Sequence, residues 1–336
     1  MRPGRARPAA AQTLVGNEPR ARFLERQEAD QRGRCAPRPV DDRSAGAPII
    51  CASPVRAGFA ARAVTLASTG AGSDAYHARM KLADKVIVVT GGAAGIGRAM
   101  VRRFAADKPR ALVVADRDAA AAEAVAREVG GLAVHCDVSR EADLVALVAR
   151  ATADHGAIDL FCSNAGISVA GGVEVPDAEW RRIFDVNVMS HVWAARALVP
   201  AMLARGSGYL LTTASAAGLL SMVGAAPYAV TKHAAVALAE WLAITYAERG
   251  LRVSCLCPLF VNTELLSGAL KEAGGGSLTL SGNVIEPEQV AEAVVAGLDA
   301  EQFLILPHPE VATYFQRKAS DYDRWLAGMR RLHSAK

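Results

Sequence analysis

The sequence predicts an α/β chain: a doubly wound, parallel, seven-stranded sheet in a single domain, preceded by an N-terminal extension without order. Three observations carry that expectation. From Met80 onward short apolar runs alternate with longer helical stretches, the pattern of βαβ units. The runs are nearly continuous in Val, Leu and Ala, as strands covered on both faces require. The first run passes into a glycine-rich turn that opens a helix.

Strands are expected near Val86–Val89, Ala111–Ala115, Leu132–Cys136, Leu160–Ser163, Tyr209–Thr213, Arg252–Leu256 and Phe303–Leu306. Helices fill the gaps: one after Gly95, then Ala119–Glu128, Glu141–Ala153, Asp177–Ala204, Ala225–Glu248 and Pro287–Leu298. In Glu141–Ala153 the buried side is read as Leu144, Val145, Leu147 and Val148. Residues 80–307 make up this body. Residues 308–336 form a tail in which Val311, Tyr314, Phe315, Tyr322, Trp325, Leu326 and Met329 recur at three- and four-residue spacing. That is one amphipathic helix or two short ones, packed on the body or on a second subunit.

Charge separates the extension from the body. Residues 1–79 hold 13 Arg, no Lys and 7 acidic residues, a balance of +6, together with seven of the fifteen prolines and no sustained periodicity. They read as disordered. Met80 is taken as the natural start, with the leader as upstream read-through; a targeting leader is the alternative, but Glu18, Glu25, Glu28 and Asp30 break the acid-poor rule for transit peptides. The remainder carries 25 basic and 27 acidic residues, so the basic pI belongs to the leader and no basic stripe marks a nucleic-acid partner. No run of about 18 apolar residues offers a membrane span. Six cysteines are too few for a disulfide framework and lack paired zinc spacing, which points to a reducing, cytoplasmic setting. Cys255 and Cys257 share one strand face and read as a buried apolar pair. His135, His155, His191 and His233 have no metal-ligand spacing, so no metal is expected.

The turn runs Thr90-Gly91-Gly92-Ala93-Ala94-Gly95-Ile96-Gly97. Glycines remove the Cβ atoms that would hold a pyrophosphate away, and the helix start presents free N–H groups to it, which makes the fold Rossmann-type. Asp116 ends the second strand, where a carboxylate accepts hydrogen bonds from the adenosine ribose and repels a 2′-phosphate. The cofactor is therefore read as NAD. Arg117 keeps NADP as the alternative, since a guanidinium is the usual 2′-phosphate partner.

Ser215, Tyr228 and Lys232 form the strongest constellation. Tyr228 and Lys232 stand four apart on one helix face, and Ser215 closes the preceding strand at the carboxyl end of the sheet. A phenol is too weak a base at neutral pH, and a nearby ammonium favours the phenolate, so the pair can exchange a proton with an alcohol or carbonyl oxygen.

These residues resemble the short-chain dehydrogenase/reductase family over nearly all of 80–307. Thr90 to Gly97 is similar to that family's TGxxxGxG; Asn164-Ala165-Gly166 to its NNAG, with Ser163 in place of the first Asn; Tyr228 to Lys232 to YxxxK, with Ser215 thirteen residues earlier; and Asn187 to the family's helix asparagine. The resemblance implies Tyr228 as acid/base, Ser215 on the substrate oxygen, Lys232 on the tyrosine and the nicotinamide ribose, and Asn187 holding a relay water. It implies Thr90, Gly91, Gly95, Ile96 and Gly97 as cofactor-binding residues of the turn, Asp137 and Val138 at the adenine, Asn164 and Gly166 in the cofactor cleft, and Val261 and Thr263 at the carboxamide. Where the family has Pro-Gly, this chain has Pro258-Leu259-Phe260, which adds bulk beside the nicotinamide. Homodimers or homotetramers through the long helix are also implied, with Ala234, Ala235, Ala237 and Ala239 allowing close approach.

Glu264–Leu270, Gly274–Gly276, Leu278 and Leu280 read as a glycine-hinged apolar lid. With Leu219, Leu220 and Met222 it encloses an apolar pocket without Arg or Lys to clamp an anion. The function expected is an NAD-dependent oxidoreductase that interconverts an apolar secondary alcohol and its ketone. An NADPH-dependent carbonyl reductase is the first alternative and a non-catalytic dinucleotide-sensing protein the second.

Overall fold

Uninterrupted β-branched and aliphatic residues make Val86–Thr90 (β1) a strand with every residue buried. In the computed structural model, which describes residues 80–272 and 283–334, it is an interior strand, third in a sheet of seven parallel strands. Ala111–Asp116 (β2) and Leu132–His135 (β3) lie to one side; Leu160–Ser163 (β4), Gly208–Thr213 (β5), Leu251–Leu256 (β6) and Leu304–Ile305 (β9) lie to the other, in the order β3-β2-β1-β4-β5-β6-β9. The seven expected strands are these seven. A separate two-stranded ribbon, Phe260–Val261 (β7) with Val284–Ile285 (β8), was not expected, because two residues carry no periodicity.

Alternate residues of each strand feed opposite cores. Val86 and Val88 face one, Ile87 and Val89 the other; Val113 and Ala115 oppose Leu112 and Val114 in the same way. The helices Gly95–Ala105 (α1), Ala119–Val129 (α2) and Pro287–Asp299 (α8) cover one face with Met100, Phe104, Val125, Val290 and Val294. On the opposite face, Glu141–His155 (α3), Ser190–Arg205 (α5) and Ala226–Tyr246 (α6) supply Leu144, Leu147, Leu198, Met202, Ala235 and Leu242. Each fully buried side chain of this size contributes about 1.5–3 kcal/mol of transfer free energy. Val145, expected inside, is half exposed, since the stripe on α3 narrows to Leu144, Leu147 and Ala151. Cys255 and Cys257 are buried free thiols with their sulfurs 3.8 Å apart.

Two expected helices are divided. The stretch Asp177–Ala204 consists of Asp177–Phe184 (α4), a wide π turn over Asp185–Met189, and α5. The Asn187 side chain there bonds to the Ile167 backbone rather than staying on the helix surface. The tail is Glu310–Ser320 (α9) and Tyr322–Ser334 (α10), parted where Asp321 turns extended. Val311 is buried and Tyr314 and Trp325 pack on the body, while Phe315, Tyr322 and Leu326 are exposed. The segment Glu264–Glu272 is helical (α7), whereas Gly274–Gly276, Leu278 and Leu280 of the expected lid, and the whole of 1–79, lie outside the described residues. Among the described residues no helix is long and apolar enough to cross a membrane, and no group of His, Cys, Asp and Glu could hold a metal ion.

His191 on α5 is a buried polar residue of this frame. Its Nδ1 lies 2.7 Å from Ser163 Oγ at the end of β4, and its Nε2 has no partner among the described residues. Burial, aided by the charge of Lys232, pushes the ring down to about 3, so the fold holds it neutral. The unfolded chain binds that proton near pH 6.5, so the neutral ring's contribution to stability is present above 6.5 and is lost as pH falls toward 3, by about 1.4 kcal/mol per pH unit. Denaturant unfolding at pH 6.5, 5.5 and 4.5 is expected to show that gradient in the wild-type protein in excess of His191→Leu. Identical gradients in the two proteins would mean that the ring is charged in the fold.

Candidate active site

Strand order reverses at β1: the chain goes outward through β2 and β3 and returns to the far side at β4. A crevice therefore opens between the carboxyl ends of β1 and β4, as in other doubly wound sheets. Thr90 closes its floor. Its hydroxyl donates to the Cys162 carbonyl at 3.2 Å and accepts from the Asn164 and Ala165 amides at 3.0 and 3.3 Å. Asn164 Nδ2 donates back to the Thr90 carbonyl at 3.1 Å, and Thr213 donates to Asn164 Oδ1 at 3.1 Å. Both Thr90 and Asn164 thus brace three strand ends; Asn164 also lines the crevice, and Thr90, 1% exposed, does not.

The glycine turn sits on this floor. Gly91 and Gly95 have φ of 63° and 50°, a region that side-chain-bearing residues rarely adopt. A Cβ on Gly97 would lie 1.9 Å from the Gly91 carbonyl oxygen, and one on Gly91 would lie 2.9 Å from Ala165 Cα. A larger residue at either position would fill the cradle or break it. Ala94 precedes α1 and offers no side-chain cap, so the amides at the helix start face the crevice without a protein acceptor from that residue. Asp116 accepts from the Ala93 amide at 3.1 Å through one oxygen and from the Asp118 amide at 3.1 Å through the other. It thereby pins the turn, and with Arg117 it lines the same cavity. This donor set fits a dinucleotide: bare amides at the centre and a carboxylate at one end.

Across the crevice β5 ends at Thr213, and Ser215 caps a single 3-10 turn, Ala216–Gly218, accepting from the Ala217 amide at 3.1 Å. Tyr228 and Lys232 extend from the first turns of α6. Lys232 Nζ donates to the Thr213 carbonyl at 3.0 Å and lies 5.7 Å from the centre of the Tyr228 ring. Asn187 Oδ1 accepts from the Ile167 amide at 2.9 Å, and its Nδ2 donates to the Ile167 carbonyl at 2.9 Å and to Thr231 at 3.2 Å. Lys232 Nζ and Asn187 Oδ1 converge on Gly166, where a Cβ would meet them at 3.3 and 3.4 Å.

Burial reverses one sequence expectation. It holds the Tyr228 phenol above its ordinary value, against the pull of the neighbouring Ser215 hydroxyl, and Lys232 does not lower it. The same burial draws the Lys232 ammonium down to about 8, with the Cys257 and Cys255 thiols acting in the opposite direction. An ammonium and a phenol removed from water together both shift toward their neutral forms. The pair remains able to hold or release one proton at the cavity wall.

The cavity spans about 1430 Å³ and runs from Asp116 and the glycine turn past Gly166, Ser215, Tyr228 and Lys232 to Val261 and Thr263. Asn187, Asp137 and Val138 are not on its wall: Asn187 is fully buried, Val138 is in the core, and Asp137 accepts from its own Ser139. The tail was missed. Tyr314, Trp325 and Met329 line the outer cavity together with Arg317, Arg324 and Arg331, so the pocket does not lack cations as expected. The aromatic spacing of the tail gave a signal for packing; what it packs around is set by contacts far along the chain. Leu259 is accommodated without backbone strain, since the described non-glycine residues with positive φ are Asp84, Lys108, Ser221 and Glu301.

Comparison with known proteins gives this geometry its relatives. The family model for short chain dehydrogenase matches residues 85–273. The chain is 37% identical over 234 residues to 2,5-dichloro-2,5-cyclohexadiene-1,4-diol dehydrogenase of Sphingobium indicum, covering 66% of this chain and 93% of the relative. It is 36% identical over 240 residues to 1-deoxy-11-beta-hydroxypentalenate dehydrogenase of Streptomyces exfoliatus, covering 69% and 86%. Among solved structures, a short chain dehydrogenase/reductase of Burkholderia phymatum in complex with NAD superposes with a TM-score of 0.66 at 28% identity, covering 73% of this chain and 96% of that one. The parallel sheet, the glycine cradle and the Ser215, Tyr228 and Lys232 cluster therefore sit in a chain that belongs to the short-chain dehydrogenase/reductase family.

Proposed function

We propose that this oxidoreductase of CH–OH groups oxidises a bulky apolar secondary alcohol to its ketone with NAD, Tyr228 taking the hydroxyl proton. The observation that carries it is the convergence of Ser215, Tyr228 and Lys232 on one wall of a cavity that also holds the glycine cradle and a run of apolar side chains, with the arginines of the tail at its outer part. Gly91, Gly95, Ile96 and Gly97 would hold the pyrophosphate, Asp116 the adenosine ribose, Lys232 the nicotinamide ribose, and Val261 and Thr263 the carboxamide. Bound there, NAD supplies the acceptor for the carbinol hydride. Ser215 orients the substrate oxygen, Tyr228 takes its proton, and Lys232 would pass a proton on to solvent through a relay water held at Asn187, near Gly166. Leu220, Met222, Leu259, Leu265 and Trp325 favour an apolar substrate body. Relatives named for a chlorinated cyclohexadienediol and a hydroxypentalenate fit such a shape.

Asp116 favours NAD over NADP, and Arg117 on the cavity wall supports the alternative of an NADPH-dependent carbonyl reductase. Four buried free thiols among the described residues suit a reducing, cytoplasmic setting. Association into a homodimer or homotetramer is supported by the outer face of α6, where Val230, Trp241 and Ile244 are exposed. Of the small residues invoked for it, Ala235 and Ala239 are buried against the protein's own sheet and Ala237 is on the outer face.

Tyr228→Phe is expected to lower kcat for hydrophobic secondary alcohols by about 10²–10⁴-fold while leaving NADH binding within about twofold. Activity unchanged in that variant would remove Tyr228 from the mechanism. Tyr228 and Lys232 titrate as one unit, because phenol with amine and phenolate with ammonium hold the same number of protons. The oxidising form lacks one proton, which burial releases near pH 8, so alcohol oxidation should rise with pH and level off above about 8. In Lys232→Arg the guanidinium keeps its proton, and the rise should move upward toward the phenol's own ionisation; a pH–rate profile of kcat/KM reads the difference. Asp116→Asn removes the charge opposite a 2′-phosphate and should shift the ratio of the NAD to the NADP dissociation constant on the order of tenfold toward NADP.

A further inference from the structure

We propose that His308 is a positioning residue for the nicotinamide end of the cofactor site, holding the Leu259–Thr263 wall in place from the start of the C-terminal tail. The proposal rests on the assignment of Val261 and Thr263 to the nicotinamide carboxamide.

His308 lies three residues beyond β9 and is 2% exposed. Its Nδ1 accepts from the Leu259 amide at 3.1 Å. A backbone N–H can only donate, so Nδ1 carries no proton and Nε2 does. Nε2 then donates to the Phe260 carbonyl at 3.1 Å and to the Asn283 carbonyl at 3.1 Å. One neutral ring in one tautomer therefore grips two successive residues of the cavity wall and the residue that leads into β8.

The Leu259 amide is turned to the ring while the residue itself lines the cavity. Leu259, Phe260 and Val261 line the cavity, and Thr263 Cγ2 lies 3.2 Å from where a Cβ on Gly95 would be, directly across from the glycine turn. Any shift of Leu259–Thr263 changes the width of the crevice at the nicotinamide end and leaves Asp116 at the other end untouched. The β7–β8 ribbon, two residues per strand, is too short to fix that wall alone. Removing the ring strands a part-buried amide and loosens the ribbon together.

NADH and ADP-ribose separate this role from a general one, because ADP-ribose has the adenosine and pyrophosphate but no nicotinamide. In His308→Leu the dissociation constant for NADH, read by fluorescence, is expected to rise on the order of tenfold, with that for ADP-ribose, read by calorimetry, within about twofold of wild type. His308→Gln keeps a donor for the two carbonyls and should fall between Leu and wild type; it carries the same comparison if the Leu variant does not fold. Equal weakening of both ligands in either variant, or no change in NADH affinity, would overturn the proposal. A wild-type protein that binds neither ligand would overturn the cofactor assignment beneath it.

Discussion

The whole site hangs on the join between the carboxyl ends of β1 and β4. Parallel strands that reverse their order at one point leave a crevice there, and nothing in the backbone ladder closes its floor, because the pairing of β1 with β4 ends at Val89 and Cys162. The Thr90 hydroxyl bridges the gap, with one bond donated and two accepted, and Asn164 returns the bond while tying in β5. The glycine turn rests on this floor, and the Gly91 backbone comes too close to Ala165 to admit any side chain. Cradle, crevice and the end of β5 are thus held in one register before any helix contributes.

Against that floor the tyrosine–lysine pair depends on burial more than on mutual attraction. Lys232 is held by the Thr213 carbonyl, a neutral acceptor, and not by a carboxylate. Its charge is therefore expensive in the fold and easily given up, which is the condition for a group that passes a proton onward. The phenol, equally buried, resists ionising alone. Burial thus acts on both members of the pair in one sense, toward phenol and amine.

Much of this was legible along the chain. Strand, turn and helix around Thr90–Gly97 are local, and so are the spacing of Tyr228 to Lys232 and the position of Asp116 at a strand end; each depends on residues within one element or its neighbour. What was not legible depends on contacts between distant residues. The π turn at Asn187 exists because its side chain reaches the Ile167 backbone, twenty positions away. The upward shift of Tyr228 comes from how completely α6 and the loops above it exclude water, and no spacing records that. The cationic lining supplied by Arg317, Arg324 and Arg331 belongs to helices that read in sequence as an appendage.

That appendage is held in place by a charge. Lys318, 8% exposed, donates to the Leu219 carbonyl at 2.8 Å and stands 5.5 Å from the centre of the Tyr322 ring. Bringing an ammonium to that depth costs several kcal/mol before compensation, which the carbonyl and the ring face offset in this placement of α9. Leu219 follows directly on the turn capped by Ser215, so this placement also fixes how far the tail stands from the reacting groups. The sheet ends and the glycine turn supply one part of the cavity wall, and Tyr314, Trp325, Arg317, Arg324 and Arg331 bring the tail onto the same cavity.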